Sequence, residues 1–209
     1  MKELFPAFLD IKARRCLVIG GGAVAERKVT LLLECQAEVV VVSPDLTESL
    51  KNLVEQGRII YYERKFLQND IEGVFLVVAA SGDSVINDYL KEQSLIKGFL
   101  LNVVDEPEKG NFYVPAIVRR GKLKIAISTS GASPMLAAKL RKKLEKEFGP
   151  EYETFLELLA NLREDVKERI DDESRRERIY RELVESDILE LIKSGDEVKV
   201  KERINKCLS

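Results

Sequence analysis

The residues that could do chemistry begin with a glycine turn at positions 20–25. Gly20, Gly21 and Gly22 precede Ala23-Val24-Ala25, which matches the pattern G-x-G-x-x-A. In that pattern the first glycine makes a tight turn, the second lets the backbone approach a pyrophosphate, and the last small residue lets a helix pack closely on a strand. A helix that opens here also points free N–H groups at the phosphates. The turn predicts a dinucleotide site, against the alternative of a turn that only packs.

The stretch after the second predicted strand reads Val42-Ser43-Pro44-Asp45. In dinucleotide-binding folds an acid at this place hydrogen-bonds the ribose 2′-OH, whereas an arginine accommodates a 2′-phosphate. Here Ser43 offers a hydroxyl and Asp45 a carboxylate, and no arginine immediately follows. We therefore expect NAD rather than NADP.

Asp105 closes the stretch Asn102-Val103-Val104-Asp105, at the end of the fifth predicted strand. Ligands of open α/β sheets bind outside the carboxyl ends of the strands, so this carboxylate is placed where a reacting atom would meet a nicotinamide. The chain contains no histidine, which makes a carboxylate the most plausible proton acceptor. The alternative is that Asp105 only starts the Asp-Glu-Pro turn.

A turn rich in serine, threonine and glycine spans residues 128–134, before a predicted helix. Hydroxyls and free N–H groups at such a turn suit a carboxylate or a phosphate. The alternative is simple capping of the helix by Ser133.

The charge of the chain is uneven. Residues 109–149 contain ten Lys/Arg and two Asp/Glu. Residues 151–209, by contrast, contain twelve Lys/Arg and seventeen Asp/Glu. A basic segment points to an anionic partner, against the alternative of a solvated helix face. Few aromatic residues interleave with these charges, which argues against nucleic acid. The basic residues beside the serine turn are Arg119, Arg120, Lys122 and Lys124.

Composition excludes several classes of protein. The chain has 209 residues, of which 45% are hydrophobic and 33% charged, as in globular proteins. The absence of histidine excludes Ser-His-Asp catalysis, Cys-His catalysis and His-ligated metal sites. Three widely spaced cysteines, Cys16, Cys35 and Cys207, offer no zinc framework and indicate a reducing cytoplasm. No apolar run approaches the ~20 residues that span a bilayer, and the first residues lack the pattern of a signal peptide. We expect a cytoplasmic protein with no membrane contact and no metal ligands.

The elements that must position these residues alternate over the first hundred positions. Apolar strands separated by helices are typical of parallel strands covered on both faces, and right-handed crossovers then give a doubly wound sheet. The fold class is therefore α/β, with a Rossmann-type parallel sheet. Predicted strands cover 16–19, 38–42, 59–62, 74–79 and 99–103, and predicted helices cover 23–35, 47–56 and 84–96.

The pattern changes after Asp105. Residues 113–118 and 123–127 predict an antiparallel hairpin, and Ser133-Pro134 opens a predicted helix at 134–148. An isolated hairpin is marginal in water, so this small unit needs a partner surface, which a twofold dimer supplies. Everything after residue 150 has a helical period. The predicted domains are an NAD-binding domain (1–112), a hairpin-plus-helix dimerisation and substrate unit (113–150), and a C-terminal helical domain (151–209).

Several motifs, in order over residues 5–150, resemble the precorrin-2 dehydrogenase family, the N-terminal module of siroheme synthases. The matching stretches are Leu17-Val18-Ile19-Gly20-Gly21-Gly22, Ala25-Glu26-Arg27-Lys28, Asn102-Val103-Val104-Asp105, Asn111-Phe112, Pro115-Ala116, Ser128-Thr129-Ser130-Gly131 and Ser133-Pro134. The loop after the fourth strand departs from the family's Ala-Ala-Thr-Asp-Asp and reads Ala79-Ala80-Ser81-Gly82-Asp83.

The resemblance implies a homodimer that oxidises precorrin-2, a tetrapyrrole rich in carboxylates, to sirohydrochlorin with NAD. It implies that Asp105 is the catalytic aspartate. The predicted cofactor-binding residues are Gly20, Gly22, Ala23, Val24, Ser43, Pro44, Asp45, Ala80, Ser81, Asn102 and Val103. The predicted substrate-binding residues are Asn111, Phe112, Arg119, Arg120, Thr129, Ser130 and Gly131.

Three other functions stay open at this point. Some members of the family also insert ferrous iron and use the same aspartate, so a bifunctional dehydrogenase and ferrochelatase is one alternative. A nucleotide-sensing regulatory module would explain the glycine turn, but not the basic hairpin or Asp105. A porphyrin carrier without turnover is the weakest alternative, because the chain has no histidine to serve as an axial ligand.

Overall fold

The computed structural model describes residues 3–208 and divides them into two units. The first unit runs to Val114, and the second begins at Pro115. The domain boundaries expected at residues 112 and 150 stay predictions.

The first unit is built on a parallel sheet. Its strands are β1 (Arg15–Ile19), β2 (Glu38–Ser43), β3 (Ile60–Glu63), β4 (Leu76–Ala79) and β5 (Leu100–Val103). They lie in the order β3-β2-β1-β4-β5, and every neighbouring pair is parallel. Leu17 in the central strand pairs with Val40 on one side and Val77 on the other. The predicted doubly wound sheet is confirmed, and its order reverses between β1 and β4, where such sheets bind ligands.

Helices cover both faces of this sheet, which is why residues 16–19 of β1, 39–42 of β2 and 76–79 of β4 are all apolar and buried. The helices are α1 (Ala23–Glu34), α2 (Glu48–Glu55) and α3 (Ser84–Lys97). One face packs Val18 and Val41 against Val29 of α1 and Leu50 of α2. The other face packs Leu17, Ile19 and Leu101 against Leu90 of α3.

Side-chain caps determine where α2 and α3 begin. The Thr47 side chain accepts a hydrogen bond from the N–H of Leu50, and Asp83 accepts from Val85 and Ile86. Both caps satisfy donors that have no partner within their own helix. Gly98 ends α3 at φ 75°, in the left-handed region that glycine adopts without strain.

The second unit opens with the hairpin β6 (Ala116–Arg120) and β7 (Leu123–Ile127). The predicted first strand, 113–118, was wrong in its bounds: the strand begins three residues later and includes Arg120, which pairs with Leu123. Pro115 explains the late start, because proline has no N–H to donate to a ladder. The turn between the two strands contains Gly121, which adopts φ 54°.

Helices make up the rest of the second unit. They are α4 (Pro134–Glu147), α5 (Glu151–Arg169), α6 (Glu173–Glu185), α7 (Ile188–Ser194) and α8 (Glu197–Leu208). Ser133 caps α4 and Pro134 takes its first position, as predicted. Helices α5 to α8 share a core that contains Phe155, Val166, Leu183 and Ile188. The predicted hairpin, helix and helical tail are confirmed as elements.

Candidate functional site

The three glycines after β1 have three different surroundings. At Gly20, with φ 117°, a Cβ atom would lie 2.5 Å from the carbonyl oxygen of Ala80, so the loops after β1 and β4 touch through bare backbone. At Gly21 a Cβ would lie 1.9 Å from the carbonyl oxygen of Asp45 in the loop after β2. At Gly22 a Cβ would meet nothing within 4 Å. Packing of the protein therefore explains the first two glycines, whereas the third leaves room for a ligand.

The N-terminus of α1 faces that open space at Gly22. Gly22 is the N-cap residue, and no side chain caps the helix. The first N–H groups of a helix also have no partner within it, so those of Ala23 and Val24 are available to a phosphate. Ala25 is fully buried between helix and sheet, as the pattern requires. Backbone donors, an open approach and a helix dipole thus meet at one place.

The loop after β2 is fastened to the glycine turn. Thr47 donates its N–H to the carbonyl of Gly21 at 3.0 Å and its hydroxyl to the Glu26 carboxylate at 2.6 Å. Tyr61 donates its hydroxyl to the carbonyl of Ser43 at 3.0 Å. Sequence reasoning did not predict these contacts of Thr47 with Gly21 and Glu26, because they form only when the loop after β2 folds back onto the glycine turn.

Within this fastened loop, Ser43 is buried at the end of β2, while Pro44 and Asp45 are exposed. The Asp45 carboxylate is therefore open to a ligand beside the glycine turn. The ribose-binding role of these residues stays a prediction.

Asp105 lies two residues beyond the end of β5 and is exposed. A Cβ atom on Gly82 would lie 3.8 Å from its Oδ2 atom, so the carboxylate sits beside the loop after β4. That loop also touches Gly20 through Ala80. Asp105, the loop after β4 and the glycine turn therefore form one continuous edge at the point where strand order reverses.

Asn102 is buried in β5, with a polar atom that lacks a partner. Its side-chain Nδ2 donates to the carbonyl of Phe112 at 3.1 Å. Its Oδ1 atom is buried and has no hydrogen-bond partner among residues 3–208. A buried acceptor without a partner is unfavourable, so a ligand N–H would satisfy it. The neighbouring Val103 points into the core, which leaves only its backbone for a cofactor.

The other predicted residues of the first unit have structural contacts. The Ala80 N–H donates to the carbonyl of Ile19, and Ser81 is exposed in the loop after β4. Asn111 accepts from the N–H of Leu101 at 2.7 Å and donates to the carbonyl of Phe99 at 3.2 Å. Its side chain thereby acts as an extra pairing partner for β5. Phe112 packs on the sheet face that α1 covers. Substrate binding by Asn111 and Phe112 stays a prediction.

In the second unit, the guanidinium of Arg120 is held by the protein itself. It donates to the carbonyls of Arg119 and Glu145, both at 2.7 Å, and its Nε atom is buried without a partner in the described chain. Arg120 thus ties β6 to the end of α4. The exposed basic side chains beside it are Lys122 and Lys124.

The serine turn of the second unit contains two consecutive left-handed residues, Ser130 at φ 51° and Gly131 at φ 84°. Thr129 accepts from the N–H of Ser133 at 3.1 Å, which closes the turn. Both left-handed residues are exposed. Their predicted role in substrate binding stays a prediction, as does that of Arg119 and Thr129.

No group of three or more Asp, Glu or Cys side chains within residues 3–208 is arranged to hold a metal ion. None of the helices described there is long and apolar enough to cross a membrane.

Three family models match consecutive parts of the chain. Residues 7–116 match a putative NAD(P)-binding family, residues 120–147 the central region of sirohaem biosynthesis proteins, and residues 151–208 the sirohaem synthase dimerisation region. The first model alone covers more than half of the chain.

Individual relatives agree with these models. The chain is 38% identical over 206 residues to a siroheme synthase of Thioalkalivibrio sulfidiphilus and 36% identical over 195 residues to one of Nitrosococcus oceani. These matches cover 99% and 93% of this chain but 42% of each relative, so the chain spans about two fifths of their length. Among solved structures, it is similar to SirC, a precorrin-2 dehydrogenase, with a TM-score of 0.82, 27% identity and 98% of both chains covered.

Proposed function

This chain belongs to the precorrin-2 dehydrogenase family, and from that premise we propose that it oxidises precorrin-2 to sirohydrochlorin with NAD. The observation that carries the proposal is the position of Asp105. Its exposed carboxylate lies at the carboxyl end of β5, on the same edge as a glycine turn open to a ligand at Gly22. The likeness to SirC extends over both units, whereas a nucleotide-sensing module would account for the first unit alone.

The residues present fit NAD on two observations. Gly22 leaves the approach to the first N–H groups of α1 open, which suits a pyrophosphate. The buried Oδ1 of Asn102 lacks a donor in the described chain, which suits the carboxamide N–H of a nicotinamide. Asp45 would hold the ribose hydroxyls, and no arginine follows it to favour a 2′-phosphate. NAD, when bound, supplies the acceptor for the hydride that the substrate loses.

Asp105 takes the proton. Oxidation of precorrin-2 removes a hydride and a proton, and the chain has no histidine to accept the latter. A carboxylate in contact with the substrate serves as the general base. The remaining task of the protein is to hold the two reactants in register, since positioning itself lowers the barrier.

We infer that the second unit binds the substrate's carboxylates and joins two copies of the chain. Within the second unit, residues 115–149 include nine basic and two acidic residues, which suits a substrate rich in carboxylates. In α4, Met135 is 85% exposed, Leu136 47% and Leu140 37%, so these three apolar side chains in the first half of the helix are left uncovered by the described residues. The match of residues 151–208 to a dimerisation region supports a homodimer. The three unpaired cysteines support a cytoplasmic enzyme.

The test is to mix the purified chain, precorrin-2 and NAD without oxygen and to follow the absorbance of NADH and sirohydrochlorin together. Both products should appear in equal amounts. The matched variant is Asp105→Asn, which keeps the size of the side chain and removes the base. We expect it to bind NAD normally and to turn over about 10²–10⁴-fold more slowly.

Two results would contradict the proposal. If the wild-type chain binds NAD but forms no NADH from precorrin-2, the proposed dehydrogenase activity is wrong. Normal turnover by Asp105→Asn would reduce Asp105 to a turn residue. Iron insertion, the bifunctional alternative, stays a prediction. A separate assay tests it: the chain is incubated with sirohydrochlorin and ferrous iron without NAD, and formation of siroheme is followed.

A further inference from the structure

A closed network of side chains ties the loop after β5 to helix α3. Asn87 donates from Nδ2 to Oε1 of Glu106 at 2.8 Å. The other oxygen of Glu106, Oε2, lies 2.7 Å from Nζ of Lys109, which in turn lies 2.6 Å from Oδ1 of Asp88. The network thus begins and ends on neighbouring residues of α3 and encloses the 3₁₀ turn at Pro107–Lys109.

The network is partly buried, and three of its four side chains, Asp88, Glu106 and Lys109, are ionisable. Asn87 is 2% exposed, and the Lys109 side chain is 16% exposed. Hydrogen bonds from Asn87 and then from Lys109 hold the pKa of Glu106 below its ordinary value. Hydrogen bonds to Asp88 and then to Glu106 raise the pKa of Lys109. Both ionised forms are therefore stabilised by their partners, and the contacts persist across the neutral pH range.

Glu106 directly follows Asp105, and this adjacency gives the network its significance. No hydrogen bond within the described chain restrains the Asp105 carboxylate itself. On the strand side, the backbone is held by the N–H of Val104, which donates to the carbonyl of Ala79 at 3.0 Å. On the loop side, the nearest side-chain anchor is Glu106. The direction of the Asp105 side chain therefore depends on how firmly Glu106 is held.

We infer that Asn87, Glu106 and Lys109 are positioning residues, which orient the Asp105 carboxylate towards the substrate by fixing the loop that follows it. The inference deepens the proposed function, on which its activity readout rests. Misplacement of a reacting group by about 1 Å can lower a rate about 10²-fold, so a loosened loop should slow turnover without altering the cofactor site.

The variant is Lys109→Met, which removes the ammonium group from the centre of the network. Its matched control is Lys97→Met, which breaks the ion pair between Lys97 and Glu72. That pair also involves α3, but it lies at the opposite end of the helix, near the start of the strands. Glu106→Gln, of unchanged size, is a second variant that serves if Lys109→Met does not fold.

Four quantities are measured on each variant: kcat, KM for precorrin-2, the Kd of NAD, and amide hydrogen exchange at residues 104–110. We expect Lys109→Met to lower kcat about 10- to 100-fold, with Kd unchanged and exchange faster in this loop. Lys97→Met should change none of the four.

Equal kcat values for the two variants would overturn the inference, as would unchanged exchange in the loop. A loss of NAD affinity in parallel with kcat would also overturn it, because it would show a general structural role. If the wild-type chain does not oxidise precorrin-2, the proposed function fails, and the hydrogen exchange of the loop alone then decides whether the network holds it.

Discussion

Replacing Gly22 by aspartate should separate cofactor binding from stability, because the two are expected to change in opposite directions. Gly22 has φ −82° and ψ −177°, which any residue adopts, and a Cβ there meets nothing within 4 Å. It is also the N-cap of α1 and carries no capping side chain. Aspartate is among the favoured N-cap residues, ahead of glycine by a few tenths of a kcal/mol.

The expected gain in stability is small and the expected loss of affinity is large. Replacing a glycine at a compatible backbone position adds about 0.4–1 kcal/mol through the unfolded state, so Gly22→Asp should be at least as stable as the wild type. Two unit charges about 4 Å apart interact by about 4 kcal/mol near a protein surface. Solvent screening at this exposed position lowers the repulsion to about 1 kcal/mol for each of the two pyrophosphate charges, or about 2 kcal/mol in all. That corresponds to a roughly 30-fold higher Kd for NAD.

Two further variants serve as controls. Gly22→Asn has nearly the size and capping ability of aspartate without its charge, so it should weaken NAD binding less. Gly20→Ala places a Cβ 2.5 Å from the carbonyl of Ala80 at a left-handed residue, and it should destabilise the fold by about 1–3 kcal/mol.

The assays are titration calorimetry with NAD at two salt concentrations and urea unfolding. The difference between the Asp and Asn variants should shrink at high salt, because salt screens the repulsion. Wild-type affinity in both Gly22 variants would refute the proposed pyrophosphate site. Destabilisation of Gly22→Asp as large as that of Gly20→Ala would refute the different roles assigned to the two glycines.

Two more predictions concern the first unit. Burial alone would raise the pKa of Asp70, but hydrogen bonds from the Arg64 guanidinium and the Leu67 N–H outweigh it and lower the pKa below its ordinary value of 3.8. Asp70→Asn should therefore cost about 1–2 kcal/mol of unfolding free energy at neutral pH. This difference should vanish in acid as Asp70 protonates, and a difference independent of pH in urea titrations would contradict the assignment. Burial raises the pKa of Cys16 to about 11, so in the native protein this thiol should be alkylated far more slowly than the partly exposed Cys35; equal rates by mass spectrometry would argue against a closed core.

The alternation of strands and helices could be read from the sequence because each element carries its own signal. Apolar runs, the glycine turn at 20–25 and the Ser133-Pro134 helix start are contiguous stretches, whose local geometry follows from side-chain type. The same holds for the position of Asp105 at the end of a strand. The sequence alone therefore predicted the parallel sheet, the hairpin and the place of a candidate site.

Only the tertiary structure decided what individual residues at that site do. Gly20 is needed because of a carbonyl that lies sixty positions further along the chain, and Gly21 because of one in the loop after β2. Asn111 is hydrogen-bonded to β5, and Glu106 is held from α3. In each case the deciding atom comes from a different element, which the chain brings close only when it folds. Residue types and local spacing do not predict such contacts between distant parts of the chain. The roles of these four residues therefore follow from tertiary packing and not from the sequence pattern.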